Sequence, residues 1–470
     1  EWVQCAVVEA LAKINDPAAL SALIKLLTSS SPLVSAAIID ALGDLGDIKI
    51  IPMLFNSLEN VNVVLRHKIV KAIVRILSGK SLSLLSPESQ EKLRDYLLDA
   101  LTDTDEEIQF AALQGLSAIG DNDASRDIMS LALTINPEKQ PDLYEAAIRA
   151  LAAIGYNEII RDSLRSADEN LVMIAMEACQ LMDDKRPLEE IKNLFWRVSR
   201  DLQRAAIAEI AQLGSCDDTP FFLSVIDENK DAEVLKGALV FFGNQQSCPD
   251  VEDVVFSQLD HKYVDVKETA LEACINLHSP FLNEKFRERS KSDDAMQRMM
   301  AVYALGRYNV NENIREISDA LEDPDPAVRR VAVEAFQNLD AGAERYLPRL
   351  VPRLFDEDKD TRLALVDLLG QIGTTTVIPH LLTALRDENE WVRIRAIEAL
   401  GMNRTLEAAP TLAKMLDTAS PMVALRVIEA LGRIGGNVAF GILLSLADNE
   451  DPEIQRAAAD AVAAIQAEQE

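Results

Sequence analysis

Three segments near the end of the chain read in step: VRIRAIEALG (392–401), VALRVIEALG (423–432) and IQRAAADAVA (454–463). Each begins 31 residues after the one before. The acidic residue at the seventh place (Glu398, Glu429, Asp460) anchors a pattern that walks back through the whole sequence. Twelve further anchors precede these: Glu9, Asp40, Lys71, Gln114, Arg149, Glu177, Ala208, Val240, Glu272, Tyr303, Glu334 and Asp367. The gaps are 31, 31, 43, 35, 28, 31, 32, 32, 31, 31, 33, 31, 31 and 31 residues, so the repeating unit is about 32 long. The two longest gaps mark insertions, at 78–92 and 134–142.

The columns around the anchor identify the unit. The two positions before it and the second position after it are apolar in all fifteen copies, and the position directly after it is Ala in eleven. At 100° per residue these offsets cover one broad helical face, with the anchor pointing away from it. Six residues after the anchor come Gly46, Gly120, Gly155, Gly214, Gly373 and Gly435, with Asn15, Asn309, Asp183 and Asp340 in the same column. These residue types tolerate the left-handed backbone that ends a helix. A second apolar segment, such as TTTVIPHLLTALRD (374–387), lies between one stop and the next start. Each unit is therefore a helical hairpin that cannot bury its faces alone and must stack on its neighbours. Strict apolar–polar alternation is absent, so no strands are expected. The predicted fold is all-α: one continuous solenoid over 1–470, a right-handed superhelix of about 15 hairpins, with a contour of roughly 120–150 Å at about 8–10 Å per unit. Trp2–Ile14 reads as a second helix without its first, which predicts a chain extending further upstream.

Composition agrees. Apolar residues make up 48% of the chain and aromatics only 5%, which suits closely packed Ala- and Leu-rich helices. No apolar run approaches the roughly 18–20 residues that cross a bilayer, so membrane insertion is not expected. Subtracting 77 acidic from 47 basic residues leaves a net charge of −30. That charge opposes a phosphate backbone, and nucleic acid is not an expected partner.

The unit resembles HEAT repeats, in the short bacterial form also seen in phycobilisome-lyase-type proteins. The resemblance rests on Pro379 in the first helix, Asp387 in the turn, and Val392 and Arg393 in the second helix. Pro348, Asp356 and Arg362 repeat it with Thr361 in place of Val, and Asp323, Val328 and Arg329 repeat it without the Pro. It implies an α-solenoid with second helices on the concave side. Asp323, Asp356 and Asp387 precede second helices and suit capping or pairing with their own or a neighbouring arginine. Arg329, Arg362 and Arg393 fall on the buried side and must find a carboxylate or carbonyl. A structural Asp–Arg ladder between repeats satisfies both.

Signals for chemistry are weak. Asp356, Asp358, Asp360 and Asp367 imitate positions 1, 3, 5 and 12 of a calcium loop, and Asp387, Asn389 and Glu398 imitate 1, 3 and 12. Both lack the glycine at position 6, as does Asp121, Asp123 and Ser125, where Arg126 stands instead. His67, His261, His278 and His380 lie in different repeats, with no HExxH and no His-Glu tandem of the kind that holds di-iron in the HEAT-like deoxyhypusine hydroxylases. Cys5, Cys179, Cys216, Cys248 and Cys274 contain no CxxC, and their odd number suits a reducing cytoplasm. No catalytic residue, metal or cofactor is expected.

One surface pattern points to function. Nine anchors are acidic, among them Glu272, Glu334, Asp367, Glu398, Glu429 and Asp460. Stacked helices would align them as a ladder along the inner surface. The expected function is a non-enzymatic scaffold holding another protein, a basic one if the acidic ladder is its seat. A lyase-like handling of a bilin chromophore is the alternative, implied by the resemblance alone.

Overall fold

A computed structural model of the chain describes residues 1–470 apart from 15–16, 28–29, 46–49, 59–60, 62, 78–85, 246–250, 309, 340–341, 419 and 468–470. The described residues form 29 α-helices and several short 3-10 turns, without a strand. In chain order the helices are α1 (Trp2–Ile14), α2 (Pro17–Leu26), α3 (Pro32–Leu45), α4 (Ile51–Leu58), α5 (Val63–Leu77), α6 (Pro87–Leu101), α7 (Glu106–Ile119), α8 (Asn122–Thr134), α9 (Pro141–Ile154) and α10 (Glu158–Leu164). There follow α11 (Glu169–Gln180), α12 (Leu188–Phe195), α13 (Arg200–Leu213), α14 (Thr219–Glu228), α15 (Ala232–Asn244), α16 (Glu252–Ser257), α17 (Val264–Leu277), α18 (Pro280–Arg289), α19 (Ala295–Tyr308) and α20 (Val310–Ala320). The last are α21 (Pro326–Ala335), α22 (Leu347–Leu350), α23 (Lys359–Ile372), α24 (Ile378–Ala384), α25 (Glu390–Met402), α26 (Ala409–Met415), α27 (Pro421–Ile434), α28 (Gly436–Leu446) and α29 (Pro452–Ala467). They divide into two compact units, Glu1–Phe241 and Phe242–Glu470.

Every anchor falls in an odd-numbered helix, so the odd helices are the second helices of the repeats. Within each unit, second helices pack on one another and on the first helix of their own hairpin. The Ala column explains how closely. A methyl group added at Gly401 would stand 2.9 Å from Ala430 Cα, and one at Gly370 2.9 Å from Ala399 Cβ. Gly43 against Ala72, Gly306 against Ala335 and Gly432 against Ala461 repeat the contact. Glycine three after one anchor thus faces alanine one after the next, and larger side chains would force the helices apart.

The starts of second helices are capped by the residue two beyond the turn aspartate. Asp325, Asp358 and Asn389 accept hydrogen bonds from the free N–H groups of α21, α23 and α25. At the stops, Gly373 has φ +64° and Gly435 φ +66°, the left-handed region predicted for this column. Gly120 and Gly214 have ordinary negative φ instead. Their glycines provide room: a methyl would stand 2.5 Å from Leu116 O or 2.6 Å from Ile210 O. His278 and Arg404 occupy the same column and adopt φ +46° and +48° without being glycine, asparagine or aspartate. Of the proposed stops, Asn15, Gly46, Asn309 and Asp340 lie outside the described residues.

Of the two proposed insertions, 78–85 lies outside the described residues, while 87–92 opens helix α6. The other is the turn joining Thr134 to Pro141, where the Asn136 side chain accepts from Glu138 N and Lys139 N.

Candidate functional site

The turn aspartates and helix arginines meet across repeat boundaries in the second unit. Arg298 grips Asp323 through two hydrogen bonds of 2.7 and 2.8 Å, Nε to Oδ2 and Nη2 to Oδ1. Arg329 holds Asp356 in the same fork at 2.8 and 2.7 Å, and Arg362 holds Asp387 at 2.8 and 3.0 Å. Each arginine reaches forward into the next repeat, and its remaining Nη1 donates to backbone carbonyls of its own turn. For Arg362 these are Asp356 O and Glu357 O. The carboxylate's Oδ1 also accepts from the backbone N–H two residues on: Asp325 N, Asp358 N and Asn389 N respectively. The aspartates therefore do not cap the second helices directly; they tie the turn that presents the cap.

Arg393 differs from its counterparts. It donates to Asp387 O and Glu388 O, while the Asp387 carboxylate belongs to Arg362. Removing Arg393 would leave Asp387 paired, contrary to what sequence position suggests. Where the next rung would need an aspartate, the following repeat has Thr418.

Burial and pairing act against each other on these acids. Burial pushes the Asp323 and Asp356 carboxyls up, yet the guanidinium of Arg298 or Arg329 and the backbone N–H outweigh it and hold both below the usual carboxylate range. The side chains of Arg329 and Asp356 are 7% and 2% exposed, so their fork is desolvated.

The anchor column is less acidic in space than in sequence. Arg395 sits three residues before its own anchor, 3.3 Å from Glu398 and 3.5 Å from the preceding anchor, Asp367. Arg426 repeats this with Glu429 at 2.8 Å and Glu398 at 3.9 Å, and Lys68 reaches Asp40 at 2.7 Å. Arg330 lies 3.6 Å from Glu334, Arg456 4.0 Å from Asp460, and the Tyr303 hydroxyl donates to Glu272 at 3.3 Å. Burial raises the Glu334 and Asp367 carboxyls above their ordinary range, with Arg330 and Arg395 offsetting part of it. The column is thus a run of acids interleaved with bases one helical turn away. The sequence signal for this was the basic residue three or four before the anchor, which a column-by-column reading of the anchor alone passes over.

The calcium-like spacings are accounted for by these roles. Asp356 and Asp387 are in the forks, Asp358 and Asn389 are caps, and Asp121 caps α8 while pairing with Arg94 at 2.8 Å. No group of three or more metal-ligating side chains occurs among the described residues. Cys179 and Cys274 are buried thiols, each pushed up to about 12 by desolvation. Cys216 is disulfide-bonded, which the reading from cysteine number did not anticipate; Cys248 lies outside the described residues.

A search of family models matches HEAT repeats at residues 1–74, 314–393, 347–421 and 409–470. The chain carries HEAT repeats over these residues. A search of curated proteins finds no match. Among solved structures, this HEAT-repeat chain is similar to a multiply substituted Kap121p at 13% identity and a TM-score of 0.55, with 96% of this chain and 57% of that one covered. Kap95p, in a structure concerned with RanGDP and nuclear import complex assembly, matches at 12% identity and a TM-score of 0.56, over 96% and 73% of the two chains. The karyopherin Kap121p bound to the SUMO protease Ulp1p matches at 12% identity, a TM-score of 0.56, and 96% and 57% coverage. The HEAT-repeat chain therefore spans little more than half the length of Kap121p. At these identities the likeness is one of fold. No helix among the described residues is long and apolar enough to cross a membrane.

Proposed function

We propose that this chain is a non-enzymatic scaffold that holds a protein partner against its second-helix face. The observation that carries the reading is the mixed-charge column on the second helices, where Glu272, Glu334, Asp367, Glu398, Glu429 and Asp460 recur at repeat spacing. A partner bringing cations to this face would compete with the exposed guanidinium groups of Arg395 and Arg426 for carboxylates in partly exposed pairs, which cost little to exchange. The pairings of the similar folds, Kap95p with RanGDP and Kap121p with Ulp1p, support protein binding as the use of such a solenoid. In this reading the Arg298, Arg329 and Arg362 forks are structural, the solenoid is continuous, and the partner is basic rather than a nucleic acid. A cytoplasmic setting belongs to the same reading. The bacterial, bilin-handling alternative rests on resemblance alone.

Pulldown from the native host with the natural chain and with Glu398→Lys/Glu429→Lys tests the scaffold. The expected outcome is a basic partner captured by the first and lost from the second. Equal capture by both would move the seat elsewhere, and an absorbance change on mixing with a bilin and an acceptor subunit would favour the lyase.

A further inference from the structure

The first unit contains a groove where the acidic column is interrupted. Its anchors are Lys71, Gln114 and Arg149, on α5, α7 and α9. The 43-residue gap between Lys71 and Gln114 places the longest insertion in the chain here, and α7 packs less extensively on α5 than on α9. Between the three helices lies an open cavity of about 1140 Å³. Its floor is apolar, built from Val74, Leu113, Ala146 and Ala150, and the Phe110 ring stands at its edge, 38% exposed. That volume lies just above the roughly 300–1,000 Å³ typical of small-molecule pockets, as suits an open groove.

The rim charges specify what the groove accepts. Each cation is held by a carboxylate of this chain: Lys71 by Glu107 at 2.7 Å, Arg75 by Asp44 at 2.5 Å and Arg149 by Glu145 at 2.5 Å. Two acids remain. Glu106 receives only the neutral amide of Gln140, at 2.7 Å, and exposed Asp142 has no hydrogen bond or ion pair among the described residues. The uncompensated charge on the rim is negative, above an apolar floor. A second copy of this chain, at −30, would add charge of the wrong sign.

We infer that the groove between α5, α7 and α9 docks an amphipathic basic segment of a partner protein, apolar side chains down against Phe110 and cations toward Glu106 and Asp142. This rests on the scaffold reading and names where in the first unit a partner engages. The exposed ring at the edge supplies the kind of aromatic anchor that carries binding energy, and the rim acids set register and sign.

The test uses the full chain and labelled synthetic peptides, read by fluorescence anisotropy. One peptide carries Leu at helical spacing with Lys elsewhere. A second has the same composition with Leu spread evenly, and a third has Glu in place of Lys. The patterned Lys peptide is expected to bind, and the other two at least about tenfold more weakly. Phe110→Asp should weaken binding by about tenfold or more. Asp142→Lys should weaken it severalfold and improve binding of the Glu peptide. Amides of α7 and α9 should gain hydrogen-exchange protection. Both substituted positions are exposed, and circular dichroism checks that the helices persist. Binding unchanged by either substitution overturns the proposal, as does self-association abolished by Phe110→Asp. If binding is instead lost in Glu398→Lys/Glu429→Lys, the groove fails while the scaffold stands. If no peptide binds and the native partner is still captured, the groove again fails alone.

Discussion

Arg329 and Arg393 occupy the same column of the repeat yet have unequal stakes. Arg329 neutralises a carboxylate sealed from water, so Arg329→Ala leaves Asp356 charged and buried, with only Arg353 Nη1 at 3.4 Å and the Asp358 N–H to answer it. Such a loss should cost about 2–4 kcal/mol, short of the about 3–5 kcal/mol of a charge left with no partner. Arg393 donates to two turn carbonyls and lies 3.9 Å from the half-exposed Glu390, and Arg393→Ala should cost about 1 kcal/mol. Urea denaturation of the two variants checks the order; equal losses would mean that the fork is not the source of the difference. The carboxylates also set opposite responses to pH. Asp323 and Asp356 are held below their ordinary values, so their contribution is present at neutral pH and lost as pH falls below about 3.8 and through the folded-state value. Glu209 runs the other way. It is buried in the column that is otherwise mostly Ala, and desolvation raises it from 4.5 to about 7. Its contribution is complete below about 4.5 and lost as pH rises through about 7. Glu209→Gln should therefore raise Tm at about pH 8.5, by the equivalent of roughly 3 kcal/mol, and leave it unchanged near pH 4.5. A Tm difference that is the same at both values would remove Glu209 from the pH response.

At the level of the helix, the close approach of second helices makes side-chain volume the sensitive variable. Gly401→Leu places a branched chain where even a methyl meets Ala430 Cα at 2.9 Å. Overpacking of this kind costs about 1–3 kcal/mol, and the same change at Gly441, where a methyl meets nothing within 4 Å, should cost less than half as much. Thermal melts of the two variants measure it. The helices themselves were readable because the apolar columns repeat fifteen times and mark every second helix. The pairing between them was not. Nothing in a single repeat says whether Asp387 belongs to Arg393 six residues on in its own repeat or to Arg362 one repeat earlier; only the stacking decides. His278 and Arg404 show the same limit at the helix stops, where the geometry of the column imposed a left-handed residue that composition does not favour.

At the scale of the whole chain, function was legible only as a surface tendency. A net charge of −30 counted over the sequence says little about any one face, because Arg395, Arg426 and Lys68 sit where they answer the acids of the preceding repeat. The groove beside Phe110 was hidden for a related reason. It arises from an interruption of the repeat, and the reading that finds repeats treats an interruption as noise.

The forward reach of each fork also defines what can be cut out of this chain. Removing residues 330–362 joins Arg329 to Leu363 and seats Arg329 in the place of Arg362, facing Asp387, four residues after a capping aspartate as before. Both ends of the splice find the partners they had been built for, so the shortened chain should melt cooperatively with undiminished helix content per residue. Removing only 330–345 brings the same arginine up against a first helix and leaves Asp356 with no fork. The module that can be deleted or copied is therefore one fork long, and it starts in the middle of a helix rather than at a turn.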